Sequence, residues 1–364
     1  DGNNYNDPND LTSSGSNQGF MPIGLGSGDF SGNYNGNNYF IEGLSSNRIS
    51  TNKIGYFGTL LNAVVTSLGI VDANFSGKNY VGAIAGFSKN SLIKNCYSSG
   101  SLYSPYHTYV GGLVGYNQCV QSDTSVIKGS YSLANVQGKA RVGGLAGTSH
   151  RSTNSCIALI EDSFSTGSVI STNGGAPGLY DEAGGIVGQN ANGLVNNCFS
   201  ISAVTGTNTT GGITRTGNSS YVTNSFWDIE ISGVSNGYGT GLSTNEMQDI
   251  TTYTSVGWDF DNVWELHFLL NDGYPSLRWS NSLVYGCMDE FACNYNSSAT
   301  DGDGTCFYPS GCDNACGSTA ALDECGVCDG DSSSCDEGCG PNEPGPSGCD
   351  NACGSTAALD ECGV

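Results

Sequence analysis

The hydrophobic residues of the chain occur in short stretches, separated by glycine, Asn, Ser and Thr, which favour turns over long helices. One such stretch recurs five times: an apolar position, two small residues, an aliphatic residue, another apolar residue and usually glycine. We call it the glycine motif, and its copies are Val81–Gly86, Val110–Gly115, Val142–Gly147, Ala183–Gly188 and the degenerate Thr210–Thr214. The copies begin 27 to 41 residues apart, so we expect the insertions in loops on the outside of a regular stack.

A second element follows each glycine motif. It has Ile or Val, two further residues, a small residue and an aromatic residue, and we call it the aromatic motif: Ile93–Ser98, Ile127–Ser132, Ile160–Ser165, Val195–Ser200 and Val222–Trp227. Strand alternation is expected to place its aliphatic and aromatic side chains on one face, with Lys94, Lys128 and Glu161 on the other. Units with one apolar face can bury it only by stacking. The pattern therefore predicts an all-β parallel β-solenoid.

The number of coils follows from further copies near the start. Apolar and glycine-rich segments at 20–24, 32–36, 41–44 and 54–58 bring the prediction to about seven coils. The glycine pairs should lie where strands turn tightly or another backbone comes close, and where a Cβ would clash. They do not open a helix, as a nucleotide-binding loop would. The predicted core positions of the repeat are Gly111, Gly112, Leu113, Gly143, Gly144, Leu145, Gly184, Gly185 and Ile186.

The end of the stack needs a cap over its open strands. We predict the solenoid over residues 1–239, an aromatic capping segment over 240–284, and a Cys-rich acidic tail over 285–364. Ser243–Glu246 has capping-box spacing and predicts one short helix. The side chains expected to cover the last coil are Trp258, Phe260, Trp264, Phe268 and Trp279. The alternative for these aromatics is a sugar-binding platform.

The charge and the cysteine content indicate where the protein is located. The formal net charge of -23 argues against binding nucleic acid or anionic lipid, and no apolar run is long enough to insert into a membrane. The 16 cysteines indicate an oxidising, extracellular compartment. Because the chain begins at Asp1 and ends inside a repeat at Val364, we expect a piece of a longer mature polypeptide.

The cysteines divide into two groups. Cys119 and Cys156 fall in loops of adjacent coils and are predicted to pair. Cys96 and Cys198 hold equivalent positions three coils apart, roughly 14 Å at strand spacing, so they should stay free. The tail has no histidine to favour zinc, so we predict disulfides among Cys287, Cys293, Cys306, Cys312, Cys316, Cys325, Cys328, Cys335, Cys339, Cys349, Cys353 and Cys362.

The tail carries its own repeat, since residues 311–327 recur at 348–364. Two Asp-Gly-Asp sequences give alternating carboxylates beside a glycine, at Asp301 and Asp303 and at Asp329 and Asp331. This is part of a calcium-binding loop without the full ligand set. The alternative is a pair of solvated turns. Calcium is accordingly the one candidate cofactor.

The glycine motifs, together with Ser225–Gly233, Met247–Asp249, Gly257–Trp264 and Gly273–Trp279, resemble the GLUG (Gly-Leu-Val-Gly) repeat over about residues 20–280. That repeat occurs in bacterial surface adhesins and in stalk regions of some secreted peptidases. The tail resembles Cys-rich repeats of secreted proteins of marine Bacteroidota, which are usually exported by the type IX system. The resemblance implies a cell-surface protein but no single activity.

No catalytic constellation stands out in the sequence. The histidines, His107, His150 and His267, are scattered and form no His-Glu-x-x-His motif. Glu161 and Asp162 are expected to face opposite ways, and Lys94 and Lys128 have no acidic neighbour within their motifs. We therefore predict a non-enzymatic extracellular structural or adhesive protein, a subunit or stalk of a surface adhesin or of an appendage such as a fibre or hook.

The predicted partners follow from that role. Open strand edges favour self-association into a symmetric homo-oligomer or fibre, and the adhesive function implies surface glycans or other cells as targets. The alternative function is a carbohydrate-binding or polysaccharide-degrading β-helix protein.

Overall fold

The computed structural model describes residues 18–359, except 27, 107, 173–180, 282–284, 300, 303, 324, 332–344 and 348. The chain divides into two compact units, Asp1–Asn281 and Ser282–Val364. The first contains the coils together with residues 240–281, the greater part of the segment that we predicted as a separate cap. The second spans the whole of the predicted Cys-rich tail, 285–364.

The first unit is a parallel β-solenoid, so the predicted fold class is confirmed. The glycine motifs lead into a four-stranded sheet of Thr108–Gly111, Ala140–Gly143, Glu182–Gly184 and Thr209–Gly211. They continue into a five-stranded sheet of Phe57–Leu61, Ala85–Lys89, Val114–Cys119, Ala146–Arg151 and Val187–Ala191.

The aromatic motifs belong to a third, 17-stranded sheet. Its strands are Asn33–Glu42, Ser45–Arg48, Val64–Gly77, Leu92–Lys94, Tyr97–Tyr103, Thr124–Lys128, Tyr131–Ser132, Asn135–Gly138, Ile157–Glu161, Phe164–Ser165, Val169–Ser171, Leu194–Asn196, Phe199–Ser200, Val204–Thr205, Val222–Thr223, Phe226–Asp228 and Thr240–Leu242. All of its strand pairs are parallel, as stacking of successive coils requires.

Equivalent residues of successive coils lie directly side by side. Val142 pairs with Val110, Gly143 with Gly111, and Ala146 with Val114. The aromatic motifs keep the same register, with Ile127 beside Ile160. The stack has about five turns rather than the seven predicted.

The lower number has a simple origin at the start of the chain. Segments 32–36 and 41–44, which contributed to the predicted number, lie mostly along one strand, Asn33–Glu42. That strand and Ser45–Arg48 both pair with the single long strand Val64–Gly77. Residues 18–48 therefore add one incomplete layer to the coil that follows them.

The glycine pairs are required by the packing between coils. A Cβ on Gly144 would lie 2.0 Å from the carbonyl oxygen of Gly185 and 2.5 Å from Oγ of Ser165. Gly112 faces Ser132 in the same way, at 2.1 Å. These serines form a buried ladder, in which the hydroxyls of Ser98 and Ser132 lie 3.0 Å apart. The second glycine of each pair thus makes room for the serine that ends the aromatic motif.

The aliphatic and aromatic residues of the aromatic motif do not share a face, contrary to our prediction. Ile93, Ile127, Ile160 and Val195 point into the solenoid and are fully buried. The aromatic rings belong to a separate cluster on the outside. The cause is one left-handed residue between them in every coil, which breaks the strand alternation: Asn95, Gly129, Asp162, Asn197 and Asn224 have φ of 54°, 56°, 49°, 50° and 46°.

The outer rings form a ladder that we call the closed flank, consisting of Tyr97, Tyr131, Phe164, Phe199 and Phe226. Neighbouring rings from Tyr97 to Phe199 are nearly parallel, with centroids 4.9 to 5.2 Å apart. Residues 240–280, which we call the clamp, cover this ladder. Within the clamp, Trp264 packs against Phe164 and Phe199, and Trp279 donates a hydrogen bond from Nε1 to the carbonyl of Gly129.

The clamp therefore runs back along the side of the stack. Of the aromatics predicted to cover the last coil, Trp258 does contact it, at Phe226 and the carbonyl of Asn224, whereas Trp264 and Trp279 contact earlier coils. The clamp's predicted member Phe268 is 75% exposed. Trp227, from the last aromatic motif, is buried and fills the interior of the last coil. Its indole lies so close to Gly212 that a Cβ on this glycine would be 1.9 Å from the ring. Sequence order gave no indication of the path that the clamp takes after the last coil.

The helices of the clamp region are short: Ile229–Ser232, Thr244–Met247 and Ile250–Thr254, with 3₁₀ turns at Ser219–Tyr221, Asn271–Gly273 and Arg278–Ser280. The predicted capping box is present, since Ser243 and Glu246 exchange side-chain and backbone hydrogen bonds. Trp264–Glu265 and Ser276–Leu277 form an antiparallel pair. In the part of the chain that the structure describes, no helix has the length and apolar character needed to cross a membrane.

Asp228 joins the last coil to the clamp. Its carboxylate accepts hydrogen bonds from Tyr274 Oη at 2.6 Å, from Thr244 Oγ1 at 2.7 Å, and from the backbone N–H groups of Glu230 and Ile231. Burial alone would raise the pKa of Asp228, but these hydrogen bonds to the ionised form together lower it. The charged form is therefore the one that fits the folded clamp.

The second unit contains little regular structure. Tyr285–Gly286 pairs in parallel with Asp301–Gly302, and the rest of its described residues form turns, irregular segments and isolated β-bridges. Disulfides Cys287–Cys306, Cys293–Cys316 and Cys312–Cys328 close loops of 16 to 23 residues. With few buried apolar residues, this unit depends on such covalent links for its stability.

Candidate functional site

A second aromatic ladder lies outside the solenoid where each coil enters the glycine motif. Tyr80, Tyr109 and Arg141 directly precede Val81, Val110 and Val142, and Lys53 precedes Ile54. All four have left-handed backbone conformations, with φ of 65° at Lys53, 59° at Tyr80, 74° at Tyr109 and 54° at Arg141. We call the surface formed by these residues together with Phe87, Lys89, Tyr116, Gln118, His150, Glu182 and Gln189 the open flank.

The choice of residues at this corner is unusual. The left-handed conformation is costly for residues with a bulky side chain, and Asn, Asp and Gly adopt it most readily. The aromatic motifs follow this preference, since their left-handed residues are all Asn, Asp or Gly. A third corner places Asn62, Asn90 and Asn192 in the same conformation. The open flank is the corner where large aromatic and cationic residues occupy it.

The rings of the open flank form two stacked pairs. Tyr80 and Tyr109 have centroids 4.9 Å apart and planes 10° from parallel, and Phe87 and Tyr116 are 5.2 Å apart and 5° from parallel. The pairs meet edge to face, with Tyr80 and Tyr116 at 79°. All four rings are partly exposed. They therefore present both apolar ring surface and phenolic hydroxyls at the surface.

Charged groups lie against the rings. The guanidinium of Arg141 sits 4.9 Å from the Tyr109 ring centroid and donates a hydrogen bond to its hydroxyl. Arg141 Nε donates to Glu182 Oε2 at 3.0 Å, and the ammonium of Lys53 lies 5.4 Å from the Phe87 ring centroid. Burial raises the pKa of Glu182, and the Arg141 charge opposes this rise. The result is a mixed aromatic and cationic surface.

His150 completes the open flank in its neutral form. Its Nδ1 lies 2.7 Å from the hydroxyl of Tyr116 and 3.3 Å from the amide nitrogen of Gln118. An amide nitrogen only donates hydrogen bonds, so Nδ1 is the acceptor and carries no proton. Burial also lowers the pKa of His150, and burial raises the pKa of Tyr116 to about 12. Both groups are uncharged at neutral pH.

Our sequence reasoning missed the open flank, although the sequence carries a signal for it. The residues on either side of the glycine motif are aromatic in two consecutive copies: Tyr80 and Phe87 flank the first, and Tyr109 and Tyr116 flank the second. The prediction rested on the inward-facing positions, because these repeat most regularly. Outward-facing aromatic residues at equivalent positions of adjacent coils are the pattern that would have revealed the surface.

The clamp aromatics, for which a sugar-binding platform was the alternative, lack the exposure for it. Trp258 and Trp264 are buried, and Trp264 belongs to one cluster with the closed flank. The exposed Phe268 packs against His267.

His107 lies outside the described residues, and His150 belongs to the open flank, so the two described histidines lie in different parts of the first unit.

The prediction about Glu161 and Asp162 is wrong. Asp162 follows the strand Ile157–Glu161 in a left-handed conformation, which turns its carboxylate to the same side as that of Glu161. Both contact Lys128 of the preceding coil, at 2.6 Å for Glu161 and 3.3 Å for Asp162. Lys128 therefore has acidic partners that its own motif does not contain. Burial raises the pKa of Asp162, and hydrogen bonding to Glu161 raises that of Lys128.

Comparison with known proteins supports the fold more than a function. No protein-family profile matches the chain. A stretch of 137 residues, 36% of the chain, is 32% identical to a protein of Evansella cellulosilytica provisionally described as a Gly-rich membrane protein. A stretch of 99 residues, 27% of the chain, is 36% identical to halomucin of Haloquadratum walsbyi. The chain spans only 15% and 1% of the lengths of these two proteins.

One solved structure is similar to most of the chain. It is the crystal structure of a candidate immunoglobulin A1 protease from Bacteroides ovatus, with a TM-score of 0.52 and 20% identity over 72% of this chain and 82% of that chain. At this identity the likeness shows the fold alone. The resemblance to the GLUG repeat stays a prediction, since none of these comparisons identifies that repeat.

The structure shows where the predicted cysteines lie. Cys119 and Cys156 form a disulfide with Cα atoms 5.7 Å apart, and Cys96 and Cys198 are buried free thiols. Burial raises the pKa of Cys96 to about 12, so its thiol is unreactive. Cys325 and Cys353 are also disulfide-bonded, whereas Cys335, Cys339 and Cys362 lie outside the described residues. Disulfides of this kind indicate a secreted, extracellular protein.

Cys349 differs from our prediction, because it is an exposed free thiol. Its counterpart in the first copy of the tail repeat is Cys312, which pairs with Cys328.

The calcium prediction remains open to test. Asp303 and the side chain of Asp301 lie outside what the structure describes. Asp329 and Asp331 are exposed, and Asp329 is left-handed with φ of 52°. Among the described residues, no group of three or more His, Cys, Asp or Glu side chains is placed to hold a metal ion.

Proposed function

We propose that this chain is a structural and adhesive part of an extracellular surface protein, in which the solenoid presents the open flank to a target. The observation that carries the proposal is the contrast between two aromatic ladders on one stack. The closed flank is covered by the clamp, whereas the open flank keeps partly exposed rings beside Arg141 and Lys53. A rigid stack with one covered and one accessible ladder suits a stalk that contacts other cells, surface glycans or surfaces.

The proposal includes self-association. Strand Asn33–Glu42 pairs along one edge with Val64–Gly77, and among the described residues no strand pairs with its other edge. Tyr39 and Phe40 on that strand are 76% and 54% exposed. An open edge with exposed aromatics favours end-to-end addition of another chain. Particles of defined symmetry or fibres in electron micrographs would support this part, and a purely monomeric chain at all concentrations would contradict it.

The adhesive role can be tested with beads that carry the full chain. Under shear flow, coated beads should be retained on cells or on polysaccharide and protein films more strongly than beads carrying the reduced, unfolded chain. Equal detachment of the two bead types on every surface would contradict the proposal. So would turnover of a polysaccharide or of immunoglobulin by the chain, since we propose that it is not an enzyme.

A further inference from the structure

We propose that the open flank is a binding site for acidic polysaccharides, which lie along the stack and contact the aromatic rings of successive coils. The cationic side chains would pair with carboxylate or sulfate groups of the sugar chain. This inference rests on the proposed adhesive function and names its ligand class. Four features of the open flank support it: backbone strain, surface chemistry, charge and periodicity.

The corner residues of the open flank are held in a strained backbone conformation. Placing a residue with a bulky side chain in the left-handed region costs about 1–2 kcal/mol. At the other two corners Asn, Asp or Gly meets the same geometric need in most coils, with Ser67 and Gln121 as the exceptions, so the fold does not require aromatic or cationic residues such as Tyr80, Tyr109 or Arg141 at this one. Residues that break a local rule without benefit to the fold are candidates for function. Here their common property is an aromatic or cationic side chain at the surface.

The chemistry of these side chains fits sugars. A pyranose ring has apolar C–H faces and a rim of hydroxyls, so it matches a partly exposed ring with nearby hydrogen-bonding groups. The four rings of the open flank stack in pairs, so they offer ring edges and hydroxyls to such a ligand. Gln189 reaches Glu182 at 3.4 Å and Gln118 reaches His150 at 3.3 Å, so amides border the rings. Tyr and Arg are also enriched in protein contact surfaces generally.

The charge of the open flank points to an acidic ligand. Lys53, Lys89 and Arg141 are three of only 11 basic residues in a chain of net charge -23. Glu182 is paired with Arg141, which leaves the two lysines to give the surface a local positive charge. Lys89 follows Phe87 on the same outward face of its strand. This local positive charge can pair with anionic groups of a ligand at short range, whereas the net charge of the chain opposes polyanions at longer range.

The periodicity favours a polymer over a compact ligand. The stacked rings repeat at 4.9 and 5.2 Å from one coil to the next, so equivalent groups recur along the axis of the stack. A chain of repeating sugar units can use the same contact several times, and the gain accumulates along the site. An acidic peptide would satisfy the charge but not the aromatic contacts, and it serves as the competing outcome.

The test uses the full chain, with hyaluronate as a carboxylated probe, heparin as a sulfated probe, dextran as a neutral probe and poly-glutamate as an acidic peptide. We compare the wild type with the double variant Tyr80→Asn/Tyr109→Asn and with Tyr308→Asn, which removes an exposed tyrosine of the second unit. Binding is measured by biolayer interferometry at two salt concentrations. Far-ultraviolet circular dichroism confirms that each variant is folded.

The inference predicts that hyaluronate or heparin binds, that dextran does not, and that higher salt weakens binding. The double variant should bind at least about tenfold more weakly, and Tyr308→Asn should bind like the wild type. Binding of neither acidic probe, or equal binding by the double variant, would overturn it. So would variant-sensitive binding of poly-glutamate without polysaccharide binding. Bead adhesion in the absence of polysaccharide binding would refute this inference alone and leave the adhesive role standing.

Discussion

The closed and open flanks of the solenoid are built alike and used differently. Both are ladders of aromatic rings at coil spacing, with Phe164 and Phe199 at 4.9 Å on one and Tyr80 and Tyr109 at 4.9 Å on the other. The closed ladder is mostly phenylalanine and packs with buried tryptophans of the clamp. The open ladder is mostly tyrosine and carries cations, amides and a histidine. Stacking of coils thus produces an aromatic ladder on each flank. Whether a ladder stabilises the fold or remains accessible depends on whether another segment covers it.

The largest expected effect is on the closed flank. Trp264→Ala removes a fully buried indole that contacts Phe164, Phe199 and Trp258, and it should lower the free energy of unfolding by about 3–5 kcal/mol. Urea unfolding followed by tryptophan fluorescence measures it. The matched control is Trp264→Phe, because the indole N–H has no hydrogen-bond partner among the described residues. If the alanine variant is no less stable than the phenylalanine variant, the clamp is not what holds this flank.

The next effect concerns how the open flank is held together without a clamp. Tyr116 lies in the strand Val114–Cys119, and Cys119 is bonded to Cys156 of the next coil across 37 residues. Replacing both cysteines by serine should cost about 2–4 kcal/mol, because the unfolded chain regains the freedom of that loop. The melting temperature under non-reducing conditions reports the loss. Replacing Cys96 and Cys198, which form no disulfide, provides the control, and an equal loss there would argue against a special role for the bond.

A pH effect of intermediate size belongs to the clamp. The pKa of Asp228 is lowered from its ordinary value of 3.8, so its contribution to stability is present above pH 3.8 and is lost as the pH falls through the folded pKa. Asp228→Asn should cost about 2 kcal/mol at neutral pH, because the hydrogen bonds from Tyr274 and Thr244 lose a charged acceptor. It should also flatten the acid limb of stability against pH. An unchanged acid limb would contradict this role.

The smallest effect is a pH dependence of the open flank. The pKa of His150 is lowered from its ordinary value of 6.5, so stability is full above pH 6.5 and declines as the pH falls from 6.5 toward the folded pKa. A proton on Nδ1 would face the donors of Gln118 and Tyr116. Nuclear magnetic resonance titration of the imidazole measures the pKa directly, and His150→Gln should remove the decline. A pKa above 6.5 would contradict the neutral form that we assign.

Much of the fold could be predicted because stacked coils make local rules repeat. The register of Val110 with Val142, the crowding at Gly112 and Gly144, and the pairing of adjacent-coil cysteines all follow from placing equivalent residues side by side. The prediction failed where a single left-handed residue changes the direction in which the following side chains point. One left-handed residue per coil turns the aromatic side chains outward and brings Asp162 beside Glu161, and strand alternation does not reveal it.

The functional surface was harder to predict for a different reason. The sequence shows which residues are equivalent but not what covers them, so the clamp aromatics were considered for a sugar-binding platform, whereas Tyr80 and Tyr109 were not considered. The clamp returns along the side of the stack because the apolar ladder there is available to bury, and that path depends on contacts distant in sequence. Which ladder is covered is therefore a property of the folded molecule.

The central claim is that the open flank keeps its tyrosines for contact with a target and not for the fold. Urea unfolding of Tyr80→Asn/Tyr109→Asn tests it most directly. Loss of the stacked pair costs about 0.5–1.5 kcal/mol, while asparagine relieves part of about 1–2 kcal/mol of strain at each position. We predict a free energy of unfolding within about 1 kcal/mol of the wild type. A loss as large as that of Trp264→Ala would show that the open ladder, like the closed one, exists to stabilise the stack.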